Sequence, residues 1–315
     1  VASDSTGVVI AALIANGAIA VLKFGGFLLT GSPSMLSETY HSVSDTGNQV
    51  FLLIGIRYGA KEANRSHPFG YGKAQFFYAF LVSVLLFGIA GWESAKHGYN
   101  AIFHHSAEQV SREITRFGYT FPRVWVNYAV LLGAMGFESY AFRKAYASMR
   151  TQIEEYEWSG FREAFEKTSN VVVLTALTED TIALLGAGIA LVGVFLTDVT
   201  GNPIFDAVSA LLIGILLMGF AVALAWENKR LLLGESLPES DEDELRSVVA
   251  GHENVVGIDG FRTVFFGSER ALVTADVSFD PDMDTGELDA AITDIEDALI
   301  AADDRVKKVY IEPEL

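Results

Sequence analysis

Six stretches of this 315-residue chain are apolar over lengths that cross a lipid bilayer, and few folds can accommodate them. A spanning helix takes about 20 predominantly apolar residues, and within lipid every backbone polar group must be satisfied inside the segment. The stretches lie at 8–29, 35–58, 74–97, 124–142, 171–196 and 204–226. Half of the chain is hydrophobic, with 22 Phe and a mean hydropathy of +0.31, so a water-soluble form would aggregate. The net charge of −18 sits at one end: residues 235–315 hold 22 acidic and 6 basic side chains, which leaves −2 for everything before them. Two solvents are implied, lipid for 1–234 and water for 235–315. The chain has no cysteine, which excludes thiolate metal sites and disulfides. Its first apolar stretch is longer than a signal-peptide core and has no basic residue ahead of it, so no signal peptide is expected.

The second stretch opens on Ser37-Glu38-Thr39-Tyr40-His41-Ser42-Val43-Ser44-Asp45-Thr46-Gly47-Asn48-Gln49. On a helix Glu38, His41, Asp45 and Asn48 recur at three- and four-residue steps and project from one face. An imidazole one turn from a carboxylate offers nitrogen and oxygen to the same point, which is the ligand chemistry of zinc and similar divalent metals. In a soluble helix such a pair is usually a surface pair or a hydrogen-bonded core histidine. Inside a bilayer, ionisable groups are costly and persist mostly where they carry ions, protons or substrates. The helix therefore reads as one half of a metal site.

Other polar residues mark the remaining segments. Lys23 interrupts the first stretch and is read either as a snorkelling anchor or as a group of the site with a carboxylate partner. The short link Thr30-Gly31-Ser32-Pro33 makes the first two spans antiparallel neighbours. In the loop His67-Pro68-Phe69-Gly70-Tyr71-Gly72-Lys73, His67 is either a second metal ligand or a structural residue beside proline. Residues 98–123 are polar and amphipathic, and the adjacent His104 and His105 point apart and make a poor chelate. Glu138 lies near the end of span four, a charged, aromatic-rich connector at 143–167 is able to form a short helix, Thr178-Glu179-Asp180 lies in span five, and Asp206 opens span six after Gly201-Asn202-Pro203.

Lys and Arg fall mainly on one side: eleven (57, 61, 65, 73, 143, 144, 150, 162, 167, 229 and 230) against four (96, 112, 116 and 123). The positive-inside rule makes the richer side cytoplasmic, with both termini and the acidic tail. In that tail, 242–250 and 286–301 read as helices, and 255–266, 270–279 and 306–311 as strands. The order fits a small α+β domain of ferredoxin-like kind. Its acidity is read as a salt-rich cytoplasm's solvation surface, with metal collection as the second reading. The expected fold is an all-α six-helix transmembrane bundle (1–234) plus a cytoplasmic α+β ferredoxin-like domain (235–315).

Six spans, His-x-x-x-Asp at His41 and Asp45, the loop His67 to Lys73, acidic residues in span five and a tail ending in Tyr310-Ile311-Glu312-Pro313 resemble the cation diffusion facilitators, also called the zinc transporter family. The resemblance covers nearly the whole chain. It implies a homodimeric metal/proton antiporter, not an enzyme, in which His41 and Asp45 are the span-two metal ligands and Asp180 the span-five ligand. The usual span-five motif has a further ligand four residues earlier, but that position is Ala176. Glu179-Asp180 is instead similar to a divergent subgroup that includes a mitochondrial zinc exporter. Glu179 lies about 100° from Asp180 around the helix and is one methylene longer than aspartate, so it is expected to fill the gap as the fourth ligand or to serve as the proton-carrying partner of Asp180.

Such a site binds metal only with His41 neutral and the carboxylates ionised, so protons and metal compete, and that competition is the exchange. The expected cargo is zinc, with protons as counter-ion and no prosthetic group. Oxygen-rich ligation keeps manganese or iron open. A transport-inactive metal sensor and a monovalent cation antiporter are the other readings, the latter disfavoured by the histidine. No nucleic-acid partner is expected, and the expected location is the cell membrane.

Overall fold

Glycine and proline set the boundaries of the first helices. The computed structural model describes residues 2–103, 113–116 and 119–314. Helix α1 (Ala2–Thr30) ends where Gly31 takes a left-handed φ of 58° and its N–H closes on the Phe27 carbonyl. Ser32 then caps α2 (Pro33–Gly59), its Oγ accepting from the Met35 N–H at 3.3 Å, with Pro33 at the first helical position where a missing N–H costs nothing. A continuous helical stretch follows: α3 (Lys73–Leu85), a π-helical segment (Leu86–Gly91) and α4 (Trp92–Phe103). After a short antiparallel hairpin, β1 (Glu113–Arg116) and β2 (Tyr119–Pro122), come α5 (Arg123–Glu155), α6 (Phe161–Lys167), α7 (Val171–Thr200) and α8 (Ile204–Leu233).

The chain divides into two compact units. The first takes 1–56, 78–166 and 171–228. In it α5 packs along α7, and α1 against α5. Met35, Leu86, Leu131, Leu174, Ile182 and Leu217 lie in its apolar core. Small residues bring α4 and α8 close: a Cβ on Gly98 would meet the Leu211 backbone, and one on Gly214 that of Ala95, so both must stay glycine.

Among the described residues four helices are long and apolar enough to cross a membrane: Leu13–Thr30, Lys73–Phe103, Val172–Thr200 and Ile204–Leu233. Helices α2 and α5 match them in length but carry too many polar side chains to qualify on composition. Two boundaries differ from expectation. Helix α5 does not stop near 142 but continues to Glu155, because Ala145, Met149 and Gln152 extend its buried stripe at helical spacing into the charged segment. The polar segment 98–123 contains the end of α4 and the hairpin; His104, His105 and Arg112 lie outside the described residues.

The second unit takes 57–77, 167–170 and 229–315. Its sheet has the order β3 (Val255–Gly267), β4 (Arg270–Phe279), β5 (Val306–Glu314), with β3 antiparallel and β5 parallel to β4. Alternate residues of β4 (Ala271, Val273, Ala275, Val277, Phe279) are buried, the period-two pattern of a strand with one covered face. Helices α9 (Glu239–Ala250) and α10 (Thr285–Ala302) supply Leu245, Val249, Ala291, Ile295 and Leu299 to the same core. Asp284 and Glu287 start α10 with a capping box. The hairpin turn between β3 and β4 meets the unit's other segments: Asn170 donates to Glu269 Oε1 at 3.0 Å, and Phe69 packs on Phe266.

Candidate metal site

Helix α2 is built inside out. Glu38, His41, Asp45 and Asn48 are buried to within 5% accessibility, whereas Val43 is 51% accessible and Val50 and Ile54 are exposed. In water this distribution would be unstable; in lipid it is the favourable one, since the apolar face meets hydrocarbon and the polar face meets protein. With Ser34, Ser37, Ser42, Ser44 and Gln49, all buried, the polar face runs from Ser34 to Gln49. At the helical rise that is about 22 Å, most of a bilayer's hydrocarbon thickness.

Four contacts divide this column. At one end the Ser34 hydroxyl donates to the Asp206 carboxylate of α8. One turn on, Lys23 Nζ of α1 donates to Glu38 Oε2 at 2.8 Å, with both side chains fully buried. In the middle His41 Nδ1 lies 3.4 Å from Asp45 Oδ1 without forming a hydrogen bond. At the far end Asn48 Nδ2 donates to Glu179 Oε1 of α7 at 2.8 Å. Between these contacts, polar atoms are left open. Both ring nitrogens of His41, Asp45 Oδ1, Glu38 Oε1 and Asn48 Oδ1 are buried without a hydrogen-bond partner among the described residues. Orphans of this kind are rare in folded proteins and need an explanation such as an ion or a proton relay.

Charge points the same way. Lys23 is the one buried Lys or Arg among the described residues of this unit, while carboxylates at 38, 45, 138 and 179 are buried. Asp45 lies within electrostatic reach of Glu138, Glu179 and Asp180. A cluster with more carboxylates than cations, in a low-dielectric setting, attracts a divalent cation or protons.

The expected ligands are disposed as follows. His41 and Asp45 meet on α2, and Glu179 is buried against α2 through Asn48. Asp180, the next residue on α7, is half-buried, as is Ala176. Among the described residues no three histidine or acidic side chains converge closely enough to hold one ion; His41 and Asp45 on α2 and Glu179 and Asp180 on α7 are not gathered into one shell, and Asn48 of α2 donates to Glu179 of α7. His67 is exposed, stacks on Tyr71 with ring centroids 4.1 Å apart, and its N–H bonds to Asn64, which is a structural role in its loop.

Two features of the site were not named from the sequence. One is the partner of Lys23, which spacing does indicate: Lys23 lies about 10 Å before the end of α1 and Glu38 about 8 Å into α2, so a tight antiparallel link sets them level. The other is Gly186 of α7, where a Cβ would come within 2.6 Å of Glu38 Oε1. That contact has no local sequence signal.

Comparison with known proteins bears on the same helices. Residues 9–233 match the family described as cation efflux transmembrane domain, and residues 237–314 the cation efflux protein cytoplasmic domain. Among curated relatives, the human protein named proton-coupled zinc antiporter SLC30A9, mitochondrial, is 29% identical over 276 residues, 87% of this chain and 46% of its own. Metal tolerance protein C4 of Arabidopsis thaliana is 25% identical over 86% of this chain and 56% of its own. The cation-efflux pump FieF of Yersinia enterocolitica is 23% identical over 83% and 77%. The chain thus spans about half the length of the SLC30A9 and C4 relatives.

Proposed function

The chain is a membrane protein of the cation diffusion facilitator family, in the subgroup of its SLC30A9 relatives, and on that premise we propose that it exports a divalent metal cation, zinc first, in exchange for protons. The family is one of transporters rather than enzymes. The observation that carries the reading is the set of buried, unpartnered donors on α2, one imidazole with carboxylates on both sides of it, in a bundle of membrane-length helices.

The ligands are His41, Asp45, Glu179 and Asp180. On binding metal, α2 and α7 bring the four into one tetrahedral shell, with Asn48 holding Glu179 toward α2 until the metal arrives. Every ligand atom that binds zinc is a lone pair that a proton also takes, so protons arriving from one side expel the metal and leave on the other when the next metal binds. Helices α2 and α5 supply the two spans that composition alone does not count, for a total of six. Their polar faces turn inward: α5 buries Asn127, Glu138 and Gln152. The domain after 234 is of ferredoxin-like kind and joins two copies into a dimer. The bias of basic residues places it and both termini on the cytoplasmic side. The SLC30A9 relatives are named as mitochondrial, which lends the expected cell membrane no support.

Three carboxylates and one imidazole are an oxygen-rich set, and this favours manganese or ferrous iron as the second reading. Purified protein in proteoliposomes under a pH gradient tests both. Zinc uptake accompanied by opposite proton movement is expected, with manganese a weaker competitor. Folded protein that moves neither metal nor protons would overturn the proposal.

A further inference from the structure

The buried Lys23–Glu38 pair lies outside the ligand set, yet it shares the polar face of α2 with His41 one turn away. A lysine fully removed from solvent in a membrane helix is costly, and a structural anchor would sit at a helix end and reach for the interface. Lys23 does neither: its side chain is 0% accessible and aimed at the interior. Glu38 is only half used. Its Oε2 accepts from Lys23 at 2.8 Å, while its Oε1 is buried, has no hydrogen-bond partner among the described residues, and lies against Gly186 of α7. A Cβ at that position would push the Glu38 carboxylate aside, so Gly186 leaves room for the orientation it has. Lys23 also acts electrostatically on Asp45, Glu138 and His41.

We propose that Lys23 is a built-in countercharge that withholds Glu38 from the transported metal, so that Glu38 and Lys23 together act as positioning residues that set metal preference. A fifth oxygen ligand one turn from His41 would turn a tetrahedral nitrogen-and-oxygen site into a harder, higher-coordinate one, the kind that suits manganese over zinc. With Oε2 held by the ammonium and Oε1 lying against Gly186 of α7, Glu38 contributes no ligand atom, and the site stays small. The ammonium also offsets one carboxylate, which keeps the cluster from retaining a divalent cation too tightly to release. This inference rests on the metal-transport reading above.

The test measures the zinc-to-manganese preference of uptake, alongside equilibrium affinities, in proteoliposomes. Lys23→Met keeps most of the length of the side chain and removes its charge; it is expected to bind manganese more tightly and to lower zinc preference roughly tenfold, within the range seen when an outer partner of a metal ligand is removed. Glu38→Gln leaves the ammonium uncompensated and is expected to weaken both metals by about the same factor without changing their ratio. Lys23→Met with Glu38→Gln removes both charges and is expected to return the parental preference, a rescue that a merely structural pair would not give. Should Lys23→Met fail to fold, Lys23→Gln, which keeps a hydrogen-bond donor toward Glu38 but removes the charge, takes its place and is expected to shift the ratio in the same direction. Parental zinc affinity in Glu38→Gln, or a parental ratio in folded Lys23→Met, overturns the proposal. Parent protein that moves no metal overturns the transport reading itself, which separates the two failures.

Discussion

Two buried charge clusters in this chain are resolved in opposite ways. In the C-terminal unit Arg305, with its side chain 6% accessible, is saturated: its Nε donates to both Asp303 oxygens at 3.0 and 3.1 Å, and Nη2 to Asp241 and Asp303. Burial alone would weaken its charge, but the hydrogen bonds and charges of Asp303 and Asp241 outweigh it and hold the guanidinium above its usual range. On α2, by contrast, His41 has no hydrogen bond at either ring nitrogen and Asp45 keeps an open oxygen among the described residues. Both clusters centre on a buried side chain and both are rich in carboxylate, although Asp241 and Asp303 are only half-buried. The saturated one ties α9 to the loop before β5, and the open one is left available to an ion. Satisfaction, more than burial or charge, separates a structural cluster from a functional one.

Substitution should therefore cost function in one place and stability in the other. The largest effect is expected for His41→Ala: zinc-driven proton movement in proteoliposomes falls by about 100-fold. The cavity that it leaves is offset by removal of two buried ring nitrogens without a hydrogen-bond partner among the described residues, so the unfolding free energy should change by no more than about 1 kcal/mol. Next is Arg305→Ala, which removes the charged partner of two partly buried carboxylates and should destabilise the C-terminal unit by about 2 kcal/mol, read as faster amide exchange in 235–314, while transport per folded molecule persists. A loss of transport there at unchanged stability would erase the contrast. Glu179→Gln follows: it should weaken zinc binding roughly tenfold and flatten its dependence on pH between about 6 and 8, since one proton-competing carboxylate is gone. Adding Ala176→His should restore affinity by supplying a nitrogen one turn before Asp180. The smallest effect belongs to Arg150→Ala, which breaks an ion pair with Glu154 that is 66% accessible on both sides and should cost under about 0.5 kcal/mol by thermal unfolding.

Much of this was legible in the sequence because it is local. The stripe of Glu38, His41, Asp45 and Asn48 follows from helical spacing alone, and the strand 270–279 was read from alternation to the residue. What was not legible depends on distant parts of the chain. The Asn48–Glu179 bond joins residues 131 apart, and Gly186 lies beside Glu38 only through the packing of α7 on α2. The extension of α5 to Glu155 was hidden by its charges, since Arg143, Lys144 and Arg150 lie on the faces that its buried stripe leaves exposed. The hairpin at 113–122 has short strands and no strong turn signal between them.

Zinc K-edge absorption on the metal-loaded protein, parent beside His41→Ala, tests the central claim most directly. The parent should show nitrogen and oxygen neighbours at about 2.0–2.1 Å with the multiple-scattering signature of a single imidazole, and that signature should vanish in the variant. Its persistence in His41→Ala would mean that one of the other five histidines binds the metal and that the open face of α2 is not the site.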